Sequence, residues 1–395
     1  MMKLLNLRLK PHEDRRLRAG HLWVYSNEID GGHTPLAAFA PGALCRLEDS
    51  RGAALGVATV NPHALLCARL LTGRGDAVID AEWLLRRLRA ALLAREAVYA
   101  QPYYRLVYSE ADGLPGLVVD RYGDVLVVQL ATAGMEGLKP QVLEALQALL
   151  SPRGIWLRND VAMRQAEGLS LYTEAVGEVP DTIEIDEGGV RFRVPLKSGQ
   201  KTGWFFDQRD NRARLTRYAT GARVLDVYSY VGAWGLRAAG YGAAEVSCID
   251  ASTAALEVVA ANATLNDRTV ETLPGQALEV MHSLAQQQRR FSLVIVDPPA
   301  LIKRKKDHRA GLAHYERVNR AALALLEPGG VLVSCSCSFH LDAAELQRAL
   351  LRAARADGRR LVILEQGGQG PDHPVHPAIP ETRYLKAFYC RVAFE

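Results

Sequence analysis

Short apolar runs alternate with helical stretches from residue 191 to residue 395, and few folds accommodate that order. Val224-Leu225-Asp226-Val227 leads into the loop Tyr228-Ser-Tyr-Val-Gly232-Ala-Trp-Gly235 and then a helix. Glu245 to Ile249 ends at Asp250, and a helix follows from Ser252 to about Asn266. Further strands are expected near Glu271, at Phe291–Val296, at Val331–Ser336, at Leu361–Glu365 and at Arg383–Ala393. Alternation at this spacing predicts a Rossmann-like α/β domain with a doubly wound, parallel sheet. Ligands in such sheets bind in the crevice at the carboxyl ends of the strands.

Two sets of residues point into that crevice. The first binds a nucleotide-like group. A glycine loop after the first strand lets backbone approach a ligand, and Asp250, 24 residues after Asp226, stands near the ribose-binding step of about 20 residues. Asp250 can equally cap the helix after it, with Ser252 and Thr253 as rival caps. The loop lacks the G-x-G-x-x-G that seats a pyrophosphate, so S-adenosylmethionine, with a ribose and no phosphate, fits better than a dinucleotide. The second set is chemical. Asp297-Pro298-Pro299 ends one apolar run and Ser334-Cys335-Ser336-Cys337-Ser338 ends the next. A thiol beside a carboxylate at the mouth of such a sheet suits covalent chemistry on a flat, electron-poor ring. A buried, inert strand-end thiol is the competing reading of Cys337.

The 395 residues suffice for two or three domains. No apolar stretch reaches the roughly 18 residues that span a bilayer, and Met1–Leu9 lacks a secretory pattern, so a cytoplasmic, non-membrane protein is expected. The six cysteines, at 45, 67, 248, 335, 337 and 390, show neither CxxC knuckles nor a disulfide framework, and no metal site is expected. Charge is partitioned. Residues 1–75 carry 10 Lys+Arg against 6 Asp+Glu, residues 76–190 carry 10 against 18, and residues 191–395 carry 28 against 20. Basic outer segments flanking an acidic spacer suit a polyanionic partner, although an ordinary solvated surface gives the same totals.

The N-terminal segment, 1–75, reads as a small barrel of short strands at 22–25, 43–47, 54–58 and 65–69, preceded by the basic stretch Arg15-Arg16-Leu17-Arg18. Segment 76–190 opens with a linker helix, Asp80–Tyr99, whose stripe is Leu84, Leu85, Leu88, Leu92 and Leu93. A small α+β unit follows, strand-strand-helix-strand-strand, with strands at 116–121, 125–130, 154–159 and 190–194 and a helix at 140–150. Glu110, Asp112 and Asp120 beside the hairpin read as surface or turn carboxylates.

The stretch Arg15-Arg-Leu-Arg-Ala-Gly-His-Leu-Trp-Val-Tyr-Ser-Asn-Glu-Ile29 with its β segment resembles a PUA domain, an RNA-binding pseudo-barrel. Gly199-Gln-Lys-Thr-Gly203, Asp207-Gln-Arg-Asp-Asn-Arg212, the Asp226–Gly235 loop, Asp250-Ala-Ser252, Asp297-Pro-Pro, Ser336-Cys-Ser338, His373-Pro-Val-His-Pro377 and Arg383-Tyr-Leu-Lys-Ala-Phe388 occur in that order. In this the chain is similar to the bacterial large-subunit ribosomal RNA cytosine-C5 methyltransferase I family. The resemblance covers nearly the whole chain. It implies a PUA domain at 1–75, a middle domain at 76–190 and a methyltransferase domain at 191–395, with ribosomal RNA as partner; a homodimer is compatible with it. It further implies Cys337 and Asp297 as catalytic residues. The cofactor set would be Gln200, Lys201, Thr202, Gly203, Asp207, Asp226, Tyr228, Gly232, Asp250, Ala251, Gln276 and Asp297. Ala300 stands where many relatives place Lys, and Gln276 where they place an acid; Lys303 or Lys305 could serve the target base instead.

Cytosine C5 is a poor nucleophile, and adding a thiolate at C6 makes it an enamine able to take a methyl group. Arg15, Arg16, Arg18, Lys303 and Lys305 are the expected RNA contacts. Two other functions stay open at this point: methylation of an exocyclic amine on adenine or guanine, since Asp-Pro-Pro before an aromatic serves that chemistry, and non-catalytic RNA binding by the barrel.

Overall fold

The computed structural model describes residues 4–393, which form two compact units. The first comprises residues up to 181 with 195–206 and 371–382; the second comprises 182–194, 207–370 and the chain from 383 on.

In the first unit, β1 (Leu5–Arg8), β2 (Trp23–Tyr25), β3 (Ala43–Glu48), β4 (Ala54–Val60) and β5 (Leu66–Thr72) make one sheet in the order β1-β3-β4-β5-β2. Its inward residues, among them Leu7, Val24, Leu47, Ala58 and Cys67, build a closed apolar cluster. The helix Ala81–Glu96 is capped by Asp80, whose carboxylate accepts from Trp83 N at 2.8 Å. It buries Trp83, Leu84, Leu88 and Leu92, while Leu93, expected on the stripe, is 62% exposed.

A second sheet follows from β6 (Tyr103–Tyr108), β7 (Leu117–Tyr122), β8 (Val125–Leu130), β9 (Gly154–Asn159) and β10 (Tyr172–Gly177), ordered β10-β9-β8-β7-β6. The sequence reading missed β1, β6 and β10, which are short, carry few aliphatic residues or follow an irregular stretch. The surface reading of the hairpin acids is also corrected. Asp120 is fully buried and grips Arg105 of the neighbouring β6 through two bonds of 2.7 and 2.9 Å, and Asp112 grips the buried Arg95 at 2.6 and 2.7 Å. Bidentate arginine pairing makes such burial tolerable.

In the second unit, β11 (Thr182–Glu187) and β12 (Val190–Pro195) form a separate hairpin, so the strand expected to complete the middle domain lies elsewhere. The large sheet contains β13 (Arg223–Val227), β14 (Glu245–Asp250), β15 (Glu271–Pro274), β16 (Phe291–Val296), β17 (Leu326–Ser336), β18 (Leu361–Gly367) and β19 (Lys386–Val392). Their order is β15-β14-β13-β16-β17-β19-β18. The first five are parallel, and β19 runs antiparallel to both its neighbours. Chain order reverses between β13 and β16, the switch point where open sheets leave a crevice. Side chains alternate between two cores: Leu225, Val227, Val294, Val296 and Leu332 face one, and Val224, Leu293, Ile295, Val333 and Cys335 face the other.

Candidate active site

The glycine loop is shaped by its backbone. Tyr228, Tyr230 and Gly232 have φ of 67°, 49° and 82°, and Gly232 immediately precedes the helix Ala233–Gly240. Tyrosines in the left-handed region are uncommon and are held here by surrounding bonds. Tyr230 N donates to Asp250 Oδ2 at 2.9 Å, while Asp250 Oδ1 accepts from Ser252 N at 2.8 Å. The helix Thr253–Leu265 is capped by Ser252, whose Oγ accepts from Ala255 N, so Asp250 is a tie between the first loop and the end of β14 rather than that helix's cap. Each of its oxygens retains a further lone pair.

Asp226 lies beneath the loop, fully buried, and its Oδ2 accepts from Gly235 N at 2.8 Å. A Cβ at position 235 would stand 2.8 Å from Cys248 Sγ and 3.2 Å from that carboxylate, which is why only glycine serves there. Burial raises the Asp226 carboxyl to about 7, helped by the charges of Asp297 and Asp250. Asp226 Oδ1 is buried without a partner among the described residues, and the buried Ser229 hydroxyl faces the Cys248 thiol. Ala251 and Gln276 are exposed at the same sheet edge, Gln276 two positions past Pro274, the register partner of Asp250.

Asp297 and Cys337 follow the ends of the adjacent parallel strands β16 and β17. Gln208 Nε2 donates to both Asp297 oxygens at 3.0 Å, and Trp234 Nε1 donates to Oδ2 at 3.0 Å. Gln208 is itself fixed, its Oε1 accepting from Asn211 Nδ2 at 2.6 Å. Cys337 is half-buried, with Sγ 3.9 Å from the Pro298 carbonyl. Cys335 is fully buried, and burial pushes its thiol well above the ordinary range. Because β17 stops at Ser336, the two thiols do not share a continued strand face.

The turn around Cys337 is tightly bonded. Ser336 Oγ donates to Tyr315 Oη at 2.9 Å, Tyr315 Oη lies 3.0 Å from Ser338 Oγ, and Ser338 Oγ accepts from Ile302 N at 3.0 Å. Lys303 and Lys305 follow Ile302, exposed and without ion-pair partners among the described residues.

The other expected residues are placed as follows, each within its own unit. Gln200, Lys201, Thr202 and Gly203 belong to the first unit, where the Thr202 carbonyl accepts from Tyr122 Oη at 2.9 Å and Gly203 N donates to Gln200 O at 2.8 Å. Asp207 belongs to the second unit and accepts from Tyr384 Oη. In the barrel, Arg16 pairs with Glu28 and Arg18 with Asp14 and Asp49, leaving Arg15 as the arginine of the three without an ion pair among the described residues. Residue-by-residue reading missed Gln208, Trp234, Tyr315, Ser336, Ser338 and Lys386. All but Tyr315 lie within a quoted motif, but their roles depend on partners distant in sequence.

A crevice at a switch point, with an acid at the end of β14 and no phosphate loop, defines a class of nucleoside-cofactor enzyme. The profile of the S-adenosylmethionine-dependent methyltransferase family matches residues 155–388, and that of the PUA-like domain matches residues 7–73. A solved Streptococcus mutans protein, described as a candidate SAM-dependent methyltransferase, has a TM-score of 0.82 at 17% identity, covering 98% of this chain and 100% of that one. A second candidate methyltransferase, solved with SAH, has the same TM-score at 18% identity, covering 99% and 100%. These share the fold. By fold and profile the protein is therefore a SAM-dependent methyltransferase carrying a PUA-like domain. Ribosomal RNA large subunit methyltransferase I of Erwinia tasmaniensis is 36% identical over 398 residues, covering 98% of this chain and 99% of the relative. That of Photobacterium profundum is 34% identical over 389 residues, covering 96% and 97%. The chain belongs to the ribosomal RNA large subunit methyltransferase I family, and its activity is SAM-dependent methylation of large-subunit ribosomal RNA.

Proposed function

We propose that this enzyme methylates C5 of a cytosine in large-subunit ribosomal RNA through a covalent bond between Cys337 and C6, in the cytoplasm. One observation carries the reading: among the described residues the one partly accessible thiol follows the strand next to the one that Asp297 follows, and its Sγ lies against the Pro298 carbonyl.

The residues fit the cofactor. The loop 228–235 takes left-handed turns at Tyr228, Tyr230 and Gly232, the unpartnered Asp226 Oδ1 lies under it, and Asp250 offers acceptors for two ribose hydroxyls. Ala251 and Gln276 then flank the adenine. Bound there, S-adenosylmethionine supplies the electrophilic methyl group that C5 takes up.

Cys337 forms the S–C6 bond as the C5–C6 π bond opens, placing electron density on C5 and on the N3 side of the ring. Asp297, aimed by Gln208 and Trp234, bonds the cytosine amidine edge, accepting from the exocyclic N–H and favouring a proton at N3. After methylation a base removes the C5 proton, the double bond re-forms and the thiolate leaves. The target base must be splayed from its stack, and Arg15, Lys303 and Lys305 are the exposed cations available for backbone contacts.

Nucleoside mass spectrometry of large-subunit RNA from cells with and without the gene tests the base. Loss of 5-methylcytidine is expected, and loss of an N-methylated purine would instead establish exocyclic-amine chemistry. For the cofactor, Asp250→Ala is expected to weaken SAH binding by about 1–3 kcal/mol, the value of a charge-assisted bond left unmade. Calorimetry on the folded variant measures it, and unchanged affinity removes Asp250 from the site.

A further inference from the structure

Lys386 is a buried cation that the mechanism above does not use. It is 8% exposed, at the start of β19, where it lies opposite Ser336 in the register. Its Nζ donates to the Ser338 carbonyl at 2.5 Å and to the Tyr384 carbonyl at 2.8 Å, and among the described residues it makes no ion pair with a carboxylate. An ammonium withdrawn from water is costly unless an anion compensates it, and two backbone carbonyls supply only part of that compensation. The anion has to come from a group close to Ser338.

The groups facing it are few. Cys337 precedes Ser338 and, of the groups acting on the lysine, exerts the largest favourable influence, ahead of Asp342 and Glu345. Glu345 is already engaged by His308 at 3.1 Å and by its own helix cap, and Asp342 caps the helix Ala343–Ala356 through Glu345 N. Tyr315 bonds Ser336 and Ser338, and burial raises its hydroxyl, so it stays neutral. Cys335 is buried in the opposite core, and Asp297 acts on that thiol. Burial lowers Lys386 to about 8, which still leaves it mostly charged at pH 7.

We propose that Lys386 is a positioning residue for Cys337: held by the Ser338 and Tyr384 carbonyls, its ammonium is the counter-ion of the Cys337 thiolate. This rests on the reading of Cys337 as nucleophile and adds how that thiol is kept ionised at neutral pH. A thiol near its ordinary value of about 8.5 is mostly protonated at pH 7, and a fixed cation corrects this without a general base. The Tyr315–Ser336–Ser338 bonds keep the thiol turn in register with the cation.

The test reads ionisation, not turnover. Full-length protein is treated with iodoacetamide at pH 7 and pH 10, and alkylation of the Cys337 peptide is followed by mass spectrometry. Lys386→Met is expected to slow alkylation about tenfold at pH 7, one pKa unit, and by less than about twofold at pH 10, where the thiol is ionised regardless. Lys386→Arg, which keeps the charge, is expected to retain the wild-type rate at pH 7 within about threefold. Should the methionine variant melt below the assay temperature, Lys386→Gln, which keeps a donor for the Ser338 carbonyl, is expected to show the same loss at pH 7. An unchanged rate at pH 7, or an equal loss at both pH values, overturns the proposal. No RNA or cofactor enters the assay, so its failure leaves the nucleophile assignment intact, and failure of that assignment does not alter the alkylation ratio.

Discussion

Cys337→Ala is expected to abolish methyl transfer to ribosomal RNA, a loss on the order of 10⁴-fold or more, because its thiolate is the group proposed to add to C6 and leave again. Cys335→Ala is expected to keep turnover. Its thiol is fully buried among Val333, Ala387 and Tyr389, so the variant loses packing and about 1 kcal/mol of stability. Single-turnover transfer of a labelled methyl group separates the two. Loss of activity in Cys335→Ala with retention in Cys337→Ala reverses the assignment.

The largest stability effect is expected away from the thiol, at Glu187. This carboxylate, at the end of β11, receives two bonds of 2.7 and 2.6 Å from the buried Arg212, with Arg209 and Arg237 within 4.0 Å. Burial alone would raise its carboxyl, but Arg212 and its neighbours outweigh that and hold it below the usual range. Glu187→Gln removes the carboxylate that grips the buried Arg212 and leaves its charge to the smaller influence of Asp207 and Asp297, a cost of about 3–5 kcal/mol and a fall in melting temperature on the order of 10 °C. The sign with pH follows from the depressed value. The stabilisation is complete above the unfolded carboxyl's value and is lost as pH falls through the lower, folded one, so the variant and wild type should converge in acid. Arg212 lies in the helix Arg209–Ala213, which also carries Asn211, the residue that fixes Gln208 against Asp297. A stability defect here should therefore reach the active site, and calorimetry at pH 7 and in acid, read beside methyl transfer, checks both. A variant as stable as wild type at pH 7 contradicts the account.

The sheet of the second unit was legible because its central strands, such as β14 and β16, are compact apolar runs closed by a polar residue. Asp250 and Asp297 were legible as strand ends for the same reason. Register was not. Nothing in the local pattern says that β19 inserts between β17 and β18, and that insertion brings Lys386 opposite Ser336. The supports of Asp297 were hidden likewise, since Gln208 lies 89 positions and Trp234 63 positions away. In the first unit the barrel strands stood out apart from β1, whereas the charged pairs Arg105–Asp120 and Arg95–Asp112 looked like surface acids until β6 paired with β7. Ion pairs are invisible to hydropathy because each partner alone signals solvent. The same blindness hid the carboxylate partners of Arg16 and Arg18, both read from sequence as phosphate contacts.

Covalent catalysis on cytosine is tested most directly with substrate RNA carrying 5-fluorocytosine at the target. Fluorine at C5 cannot be lost as a proton, so methylation should proceed and then stall with the RNA bound to Cys337. A protein–RNA adduct that survives denaturation, requires S-adenosylmethionine, and is absent in Cys337→Ala is the predicted result. Methylated RNA released without any adduct would contradict the C6-addition mechanism.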